Sequence, residues 1–192
     1  MPAIRKKSAS KRAPRRGERV VHILDESLAC FAEHGFERVT YDDLIARSKV
    51  SRGSFYWYFP SKEALYDAVL EYCVSGYVAR VEAQYAKTSA RDPVIKRLLR
   101  AFLADLDDNR AQYRVLLRPP SSPGAIERLT QWNDDANRFI AGKLDRKAAE
   151  VLPDVLGAFI DGVCVRLVLD DERSITRLSR NIEAFLSRIV GS

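Results

Sequence analysis

The run Ser51-Arg52-Gly53-Ser54-Phe55-Tyr56-Trp57-Tyr58-Phe59-Pro60 holds the residue types in this 192-residue chain best suited to act on a partner. Phe55 and Phe59 stand four apart and would share the inward face of a helix. Arg52, Ser54, Tyr56, Trp57 and Tyr58 are left to face elsewhere. A guanidinium fork, hydroxyls and flat rings are the groups that contact phosphates and base edges. Gly53 weakens a helix but lets backbone approach such a partner closely. The alternative is a core hairpin in which the tyrosines and the tryptophan are buried.

Charge is concentrated near this run. The chain carries a net +6, with thirteen Lys and Arg against seven Asp and Glu up to Lys62. From Glu63 onward the two signs balance at nineteen each. A basic N-terminal module beside a neutral body suits a polyanionic partner, although basic tails also serve solubility. Arg5, Lys6, Lys7, Lys11, Arg12, Arg15 and Arg16 alternate with Ser, Ala and Pro, without acids. Such a segment cannot bury enough surface to offset its ordering entropy, so residues 1–17 are expected to form a disordered basic arm.

Other chemistries lack their residues. Cys30, Cys73 and Cys164 are odd in number and widely spaced, which argues against a disulfide framework or a cysteine zinc site. His22 and His34 have no metal-ligand spacing. No G-x-G, Walker A, G-x-S-x-G or H-E-x-x-H motif occurs. Acid pairs such as Asp107-Asp108 read as helix-end charges. The expectation is a protein that is not an enzyme and uses no cofactor or metal. With no apolar signal segment and no membrane-length apolar run, it is expected to be cytoplasmic, with no membrane partner.

The elements that must position the polar run are helical. Val21, Leu24, Leu28 and Phe31 predict a helix from about Glu18 to His34, stopped by Gly35. Thr40-Tyr41-Asp42-Asp43 resembles a capping box and opens a short helix ending near Ser48. Ser51 caps the next helix, which Pro60 stops, and Ser61 caps a longer one. Two short capped helices joined by a tight turn make a helix-turn-helix. Its first helix braces the second, which presents its exposed side chains to a DNA major groove.

The stretch Ile23-Leu24, Phe31-Ala32-Glu33-His34-Gly35-Phe36, Thr40, Leu44 and Val50 through Leu65 resembles the DNA-binding domain of the tetracycline-repressor (TetR) family. The resemblance spans roughly residues 18–70. It implies that Arg52, Gly53 and Tyr56 read base edges of double-stranded DNA. It implies that Thr40, Ser54, Trp57, Tyr58 and Lys62 grip phosphates, aided by backbone amides at the capped helix starts, such as that after Ser51. Two residues depart from the family's pattern. Lys49 stands where the turn usually has glycine, at a steric cost of about 1–2 kcal/mol if the residue is left-handed. It adds a cation near DNA. Ile45 replaces a small alanine where the two helices cross.

Further helices are expected from Asp92-Pro93, as N-cap and first helical residue, and over Arg110–Arg118. Pro119 to Gly124 reads as a loop. A long helix follows with Ile126, Leu129, Trp132, Ala136, Phe139, Ile140 and Leu144 inward. Another runs over about Asp154–Leu169, and a last one carries Ile175 to Ile189. The fold class is all-α: a helix-turn-helix domain over 18–62 and a helical domain over 63–192. The resemblance implies that the latter binds an effector and dimerises. Phe102, Leu106, Tyr113, Leu117, Trp132, Phe139 and Phe159 lie on inner faces that would suit an apolar or aromatic small-molecule effector, and would equally make an ordinary core. Gly157, Ile160, Val163, Leu178, Ile182 and Phe185 could form half of a four-helix bundle across a two-fold axis, or remain internal. The expected function is a homodimeric transcriptional regulator, a repressor released from a pseudo-palindromic operator by a small-molecule effector. The competing expectation is an architectural DNA-binding protein without effector response.

Overall fold

The 3–4 spacing of apolar residues after the basic segment produces helix α1, Arg16–His34, in the computed structural model. The structure describes residues 16–118, 123–169 and, between 177 and 188, residues 177, 178, 180–182, 184, 185 and 188. The expected arm over 1–17 therefore lies outside the described residues except at its end, where Arg16 and Gly17 already belong to α1. Gly35 ends α1 in the left-handed region at φ +79°, and its N–H donates to the Phe31 carbonyl at 2.8 Å. Glycine takes that conformation at no steric cost.

Capping side chains set the next three helices. In α2, Tyr41–Ser48, the Asp43 N–H donates to Thr40 Oγ1 and the Thr40 N–H donates to Asp43 Oδ2, a reciprocal capping box. Lys49 closes α2 at φ 55°, the left-handed conformation that the resemblance made conditional. Ser51 then caps α3, Arg52–Tyr58, and Ser61 caps α4, Lys62–Val74. The expected helix-turn-helix is present, with α1 packed against α2 and α4.

Helices α5 (Tyr77–Ala86), α6 (Val94–Asp108), α7 (Arg110–Leu116), α8 (Pro123–Ala141), α9 (Arg146–Ala149) and α10 (Leu152–Leu169) complete the described body. Several expectations change here. The chain breaks at Gly76, φ +79°, and α5 begins as a separate helix that the sequence pattern did not resolve. Pro93 rather than Asp92 occupies the N-cap of α6, and Asp92 pairs with Lys96 and Arg100 of the first two turns. Pro123 and Gly124, expected in a loop, are helical. Residues 119–122 of that loop lie outside the described set. Ile126 is 61% exposed rather than inward, and Leu144 falls beyond the end of α8. The described residues between 177 and 188 are helical.

One buried tyrosine joins the parts. The Tyr66 hydroxyl of α4 donates to the carbonyls of Val115 and Arg118 at the end of α7, at 3.1 and 3.3 Å. Its ring meets Phe31 and Phe36 edge-on at 4.9 Å from each. Within the body, the Asp105 carboxylate is buried and accepts from Arg80 Nε at 3.1 Å, Tyr113 Oη at 2.8 Å and Asn109 Nδ2 at 3.0 Å. Helix α5 packs on α6, and α8 on α10. Among the described residues no helix is long and apolar enough to cross a membrane, and no side-chain cluster has the composition to hold a metal ion.

Candidate nucleic-acid interface

Seven residues make a helix too short to persist alone, so α3 depends on its anchors. Phe55 is fully buried and Phe59 nearly so. The Tyr41 ring stands edge-on to Phe55 at 5.2 Å, and the Tyr41 hydroxyl donates to the Phe59 carbonyl. Burial, and then the neighbouring Tyr56 phenol, push the Tyr41 phenol's pKa up. Arg47 fixes α2 to α1 by donating to Glu33 at 2.9 Å and Glu26 at 3.3 Å, and it holds the Glu33 carboxyl below its usual range. The His22 ring bonds the Ser48 carbonyl at 2.8 Å and ties α1 to the turn. The half-buried Ile45 sits in the same braced unit.

This brace leaves one face of α3 open. Arg52, Gly53, Tyr56 and Trp57 are exposed, Trp57 by 63%, while Ser54 and Tyr58 are half-buried. A Cβ built on Gly53 would meet nothing within 4 Å, so nothing among the described residues requires a glycine there. Thr40, which caps the start of α2, and Lys49 and Ser51, in the turn between α2 and α3, are also exposed. The Thr40 hydroxyl and N–H hold the Asp43 carboxyl below its usual range, so it is ionised where it caps α2. The alternative core hairpin is ruled out for Tyr56 and Trp57 by their exposure.

Lys62 is placed differently. Its ammonium turns inward and donates to the carbonyls of Phe36 at 3.0 Å and Val39 at 3.1 Å, 4.2 Å from the Phe36 ring centre. This geometry favours a strut between α4 and the α1–α2 connection over a phosphate grip. Lys62→Ala is accordingly expected to lower folding stability by about 1–3 kcal/mol, because two carbonyls lose a charged donor. It should leave the salt dependence of DNA binding unchanged, whereas loss of a phosphate contact lowers the slope by about one. Urea unfolding and a salt titration of DNA affinity check both parts.

The sequence pattern does not single out two contributors as site residues, although Arg16 belongs to the basic segment. Arg16 stacks over the Trp57 ring at 4.6 Å, which brings the start of α1 to the end of α3. Asp42 accepts from Arg52 Nη2 at 2.6 Å. Only an arginine–acid pairing ten residues apart could have hinted at the latter.

In the body, Phe102 and Phe139 line a small cavity together with Tyr77, Leu98, Leu156 and Ile160. Its volume is about 20 Å³, room for about one water. Leu106, Tyr113 and Trp132 are buried, and Leu117 half-buried, without lining it. Tyr113 is held by Asp105, and Trp132 packs against Tyr77 and Tyr113. Phe159 does not line the cavity either. It is 39% exposed, although it stands three residues after buried Leu156 and four before buried Val163 on α10. Among the expected interface residues, Val163 and Ile182 are buried within the chain and Ile160 faces the cavity. Gly157 lies against Asn137, Leu178 is half-buried and Phe185 is exposed.

Comparison with known proteins decides what the helix-turn-helix belongs to. Residues 23–69 match the family described as "Bacterial regulatory proteins, tetR family". This segment is a DNA-binding domain of the TetR family. Several of the relatives that the chain matches are named as transcriptional regulators or repressors. It is 35% identical over 49 residues to the A-factor receptor protein of Streptomyces griseus, a match covering 26% of this chain and 18% of that relative. It is 27% identical over 167 residues to the HTH-type transcriptional repressor DhaR of Mycobacterium sp. (strain GP1), covering 79% of this chain and 83% of that one. The first of these matches therefore spans less than a fifth of its relative. A crystal structure of a transcriptional regulator from Aquifex aeolicus VF5 superposes with a TM-score of 0.69 at 23% identity, covering 89% of this chain and 99% of that one. The TetR-type fold thus extends through the body, beyond the segment that carries the sequence match.

Proposed function

We propose that this protein is a homodimeric, cytoplasmic repressor of the TetR family that binds a pseudo-palindromic operator through α3 and is released by a small apolar or aromatic effector. The observation that carries the reading is the braced α3, with Phe55 and Phe59 buried and Arg52, Gly53, Tyr56 and Trp57 outward. Arg52, Gly53 and Tyr56 face base edges. Thr40, Lys49, Ser51, Ser54, Trp57 and Tyr58 face the backbone. Two copies place two such helices in successive major grooves, about one helical turn apart.

The dimer rests on Val151, just before α10, on Val155 and Phe159, four residues apart within it, and on Phe185, all exposed apolar side chains. A self-complementary face of this kind is what a two-fold interface requires. The effector site lies in the cavity between α5, α6, α8 and α10 and opens on binding, as its small volume demands. The names of the two relatives, a receptor and a repressor, support release by a ligand. The same small volume favours, as a second reading, an architectural DNA-binding protein with no effector response.

Sedimentation equilibrium of the full chain tests the assembly. The expected result is a dimer that Phe159→Asp converts to a monomer with weaker operator binding. A wild-type monomer that binds DNA one copy at a time contradicts it. Screening small aromatic compounds for release of bound DNA separates the two readings. Release by any of them supports the regulator, and indifference to a broad set supports the architectural protein.

A further inference from the structure

Asp42 is an acid on a face that, in the reading proposed above, meets polyanionic DNA. It lies in the first turn of α2, exposed, and takes a charge-assisted hydrogen bond of 2.6 Å from Arg52 Nη2 at the start of α3. Both side chains are more than half exposed, so the pair adds little to folding stability. Capping does not explain it either. The capping box of α2 uses Asp43, which already supplies a negative charge at that helix start. An acid there repels phosphates and lowers non-specific attraction. It persists beside the one side chain of α3 able to form a bidentate contact with guanine.

We propose that Asp42 is a specificity-determining positioning residue that aims Arg52 at a base and away from the phosphate backbone. This rests on the operator reading. The guanidinium carries five donors in a fixed fork, and Asp42 occupies one nitrogen. The remaining N–H groups can meet guanine O6 and N7. A long, rotamer-rich side chain is thereby held in place before contact, so less freedom is lost on binding. The carboxylate also offsets the arginine's charge as phosphates experience it. Arg52 thus gains little from non-specific contact and keeps its directional hydrogen bonds for the base.

The test is selection from a randomised DNA pool by the full-length protein, its Asp42→Asn and Asp42→Ala variants, Arg52→Ala, and the Asp42→Ala/Arg52→Ala double variant, all at one near-physiological salt concentration. Thermal melts confirm that each variant is folded, and Asp42→Asn preserves shape at the start of α2. The base pair read by Arg52 is the one whose preference relaxes in Arg52→Ala. At that base pair Asp42→Ala is expected to lose discrimination about five-fold, near the lower end of what a bidentate contact supplies. Asp42→Asn should lose less, because its amide oxygen still accepts. Affinity for random DNA should stay equal or rise, and the double variant should match Arg52→Ala alone. A uniform gain for all sequences with unchanged preference overturns the proposal. So does a loss from Asp42→Ala that persists without Arg52, since Asp42 would then read a base itself. A wild-type protein that selects no preferred sequence overturns the operator reading and this proposal with it.

Discussion

Phe55→Ala is expected to cost about 3–5 kcal/mol of folding stability in the reader and to abolish sequence-specific DNA binding. The ring is fully buried, edge-on to Tyr41 at 5.2 Å and 6.4 Å from Phe59. Alanine removes both contacts and leaves a cavity under a helix of seven residues. Domains are stable by only about 5–15 kcal/mol, so a loss of this size leaves α3 without a defined position. Helical signal from α5 to α10 should survive in large part, because Leu98, Leu99, Phe102 and Tyr113 are buried on helices other than the one that loses its anchor, within the same continuous core. Trp57→Ala is the matched control. At 63% exposure it should change stability by no more than about 0.5 kcal/mol while weakening DNA binding. Urea unfolding followed by circular dichroism, with DNA affinity measured in parallel, checks both variants. A Phe55→Ala protein within about 1 kcal/mol of wild type would mean that this anchor is not what holds α3.

Arg80→Met is expected to destabilise the body by about 3 kcal/mol, the lower end of the range for breaking a buried ion pair, since Arg80 is itself partly exposed. Asp105 is 1% exposed, and Arg80 is the cation in its ring of donors. Methionine keeps the apolar stem but leaves the carboxylate to Tyr113 and Asn109 alone. The same guanidinium donates to the carbonyls of Ser75 and Cys73 at 3.4 Å, across the break between α4 and α5. Its loss should therefore loosen the joint between the reader-bearing helix and a cavity-lining one. Adding Asp105→Leu to Arg80→Met should recover part of the stability, because the unpaired buried charge is then gone. Equal or greater destabilisation in the double variant, measured by urea unfolding, would contradict that account.

The reader was legible in the sequence because its determinants are local. Thr40 with Asp43, Ser51 and Ser61 each satisfy backbone donors three residues away, so the helix starts are written in nearby residues. The i, i+4 pair Phe55 and Phe59 fixes which way α3 faces. Lys62 shows where local reading fails. Its partners are carbonyls more than twenty residues earlier, and a lysine beside a DNA-facing motif gives no sign of turning inward.

The body was less legible for a related reason. Helix α10 is apolar almost all round, so its pattern does not say which residues face the core. Contacts with α7 and α8 decide that Leu156, Val163 and Cys164 are buried while Val155 and Phe159 are left outside. The break at Gly76 is set by a left-handed backbone and by Arg80 reaching back to Ser75, neither of which interrupts the apolar spacing. Ile126 fits the spacing of α8 but is left 61% exposed among the described residues.

The central claim is that α3 reads a specific operator. Its most direct test is selection of genomic fragments by the purified full-length protein at near-physiological salt, with affinity followed across a salt series. The account predicts recovery of one short inverted repeat, with half-sites about one helical turn apart, and loss of discrimination at one base pair per half-site in Arg52→Ala. Sequence-indifferent recovery with a steep salt slope, unchanged by Arg52→Ala apart from a uniform loss of affinity, would contradict it.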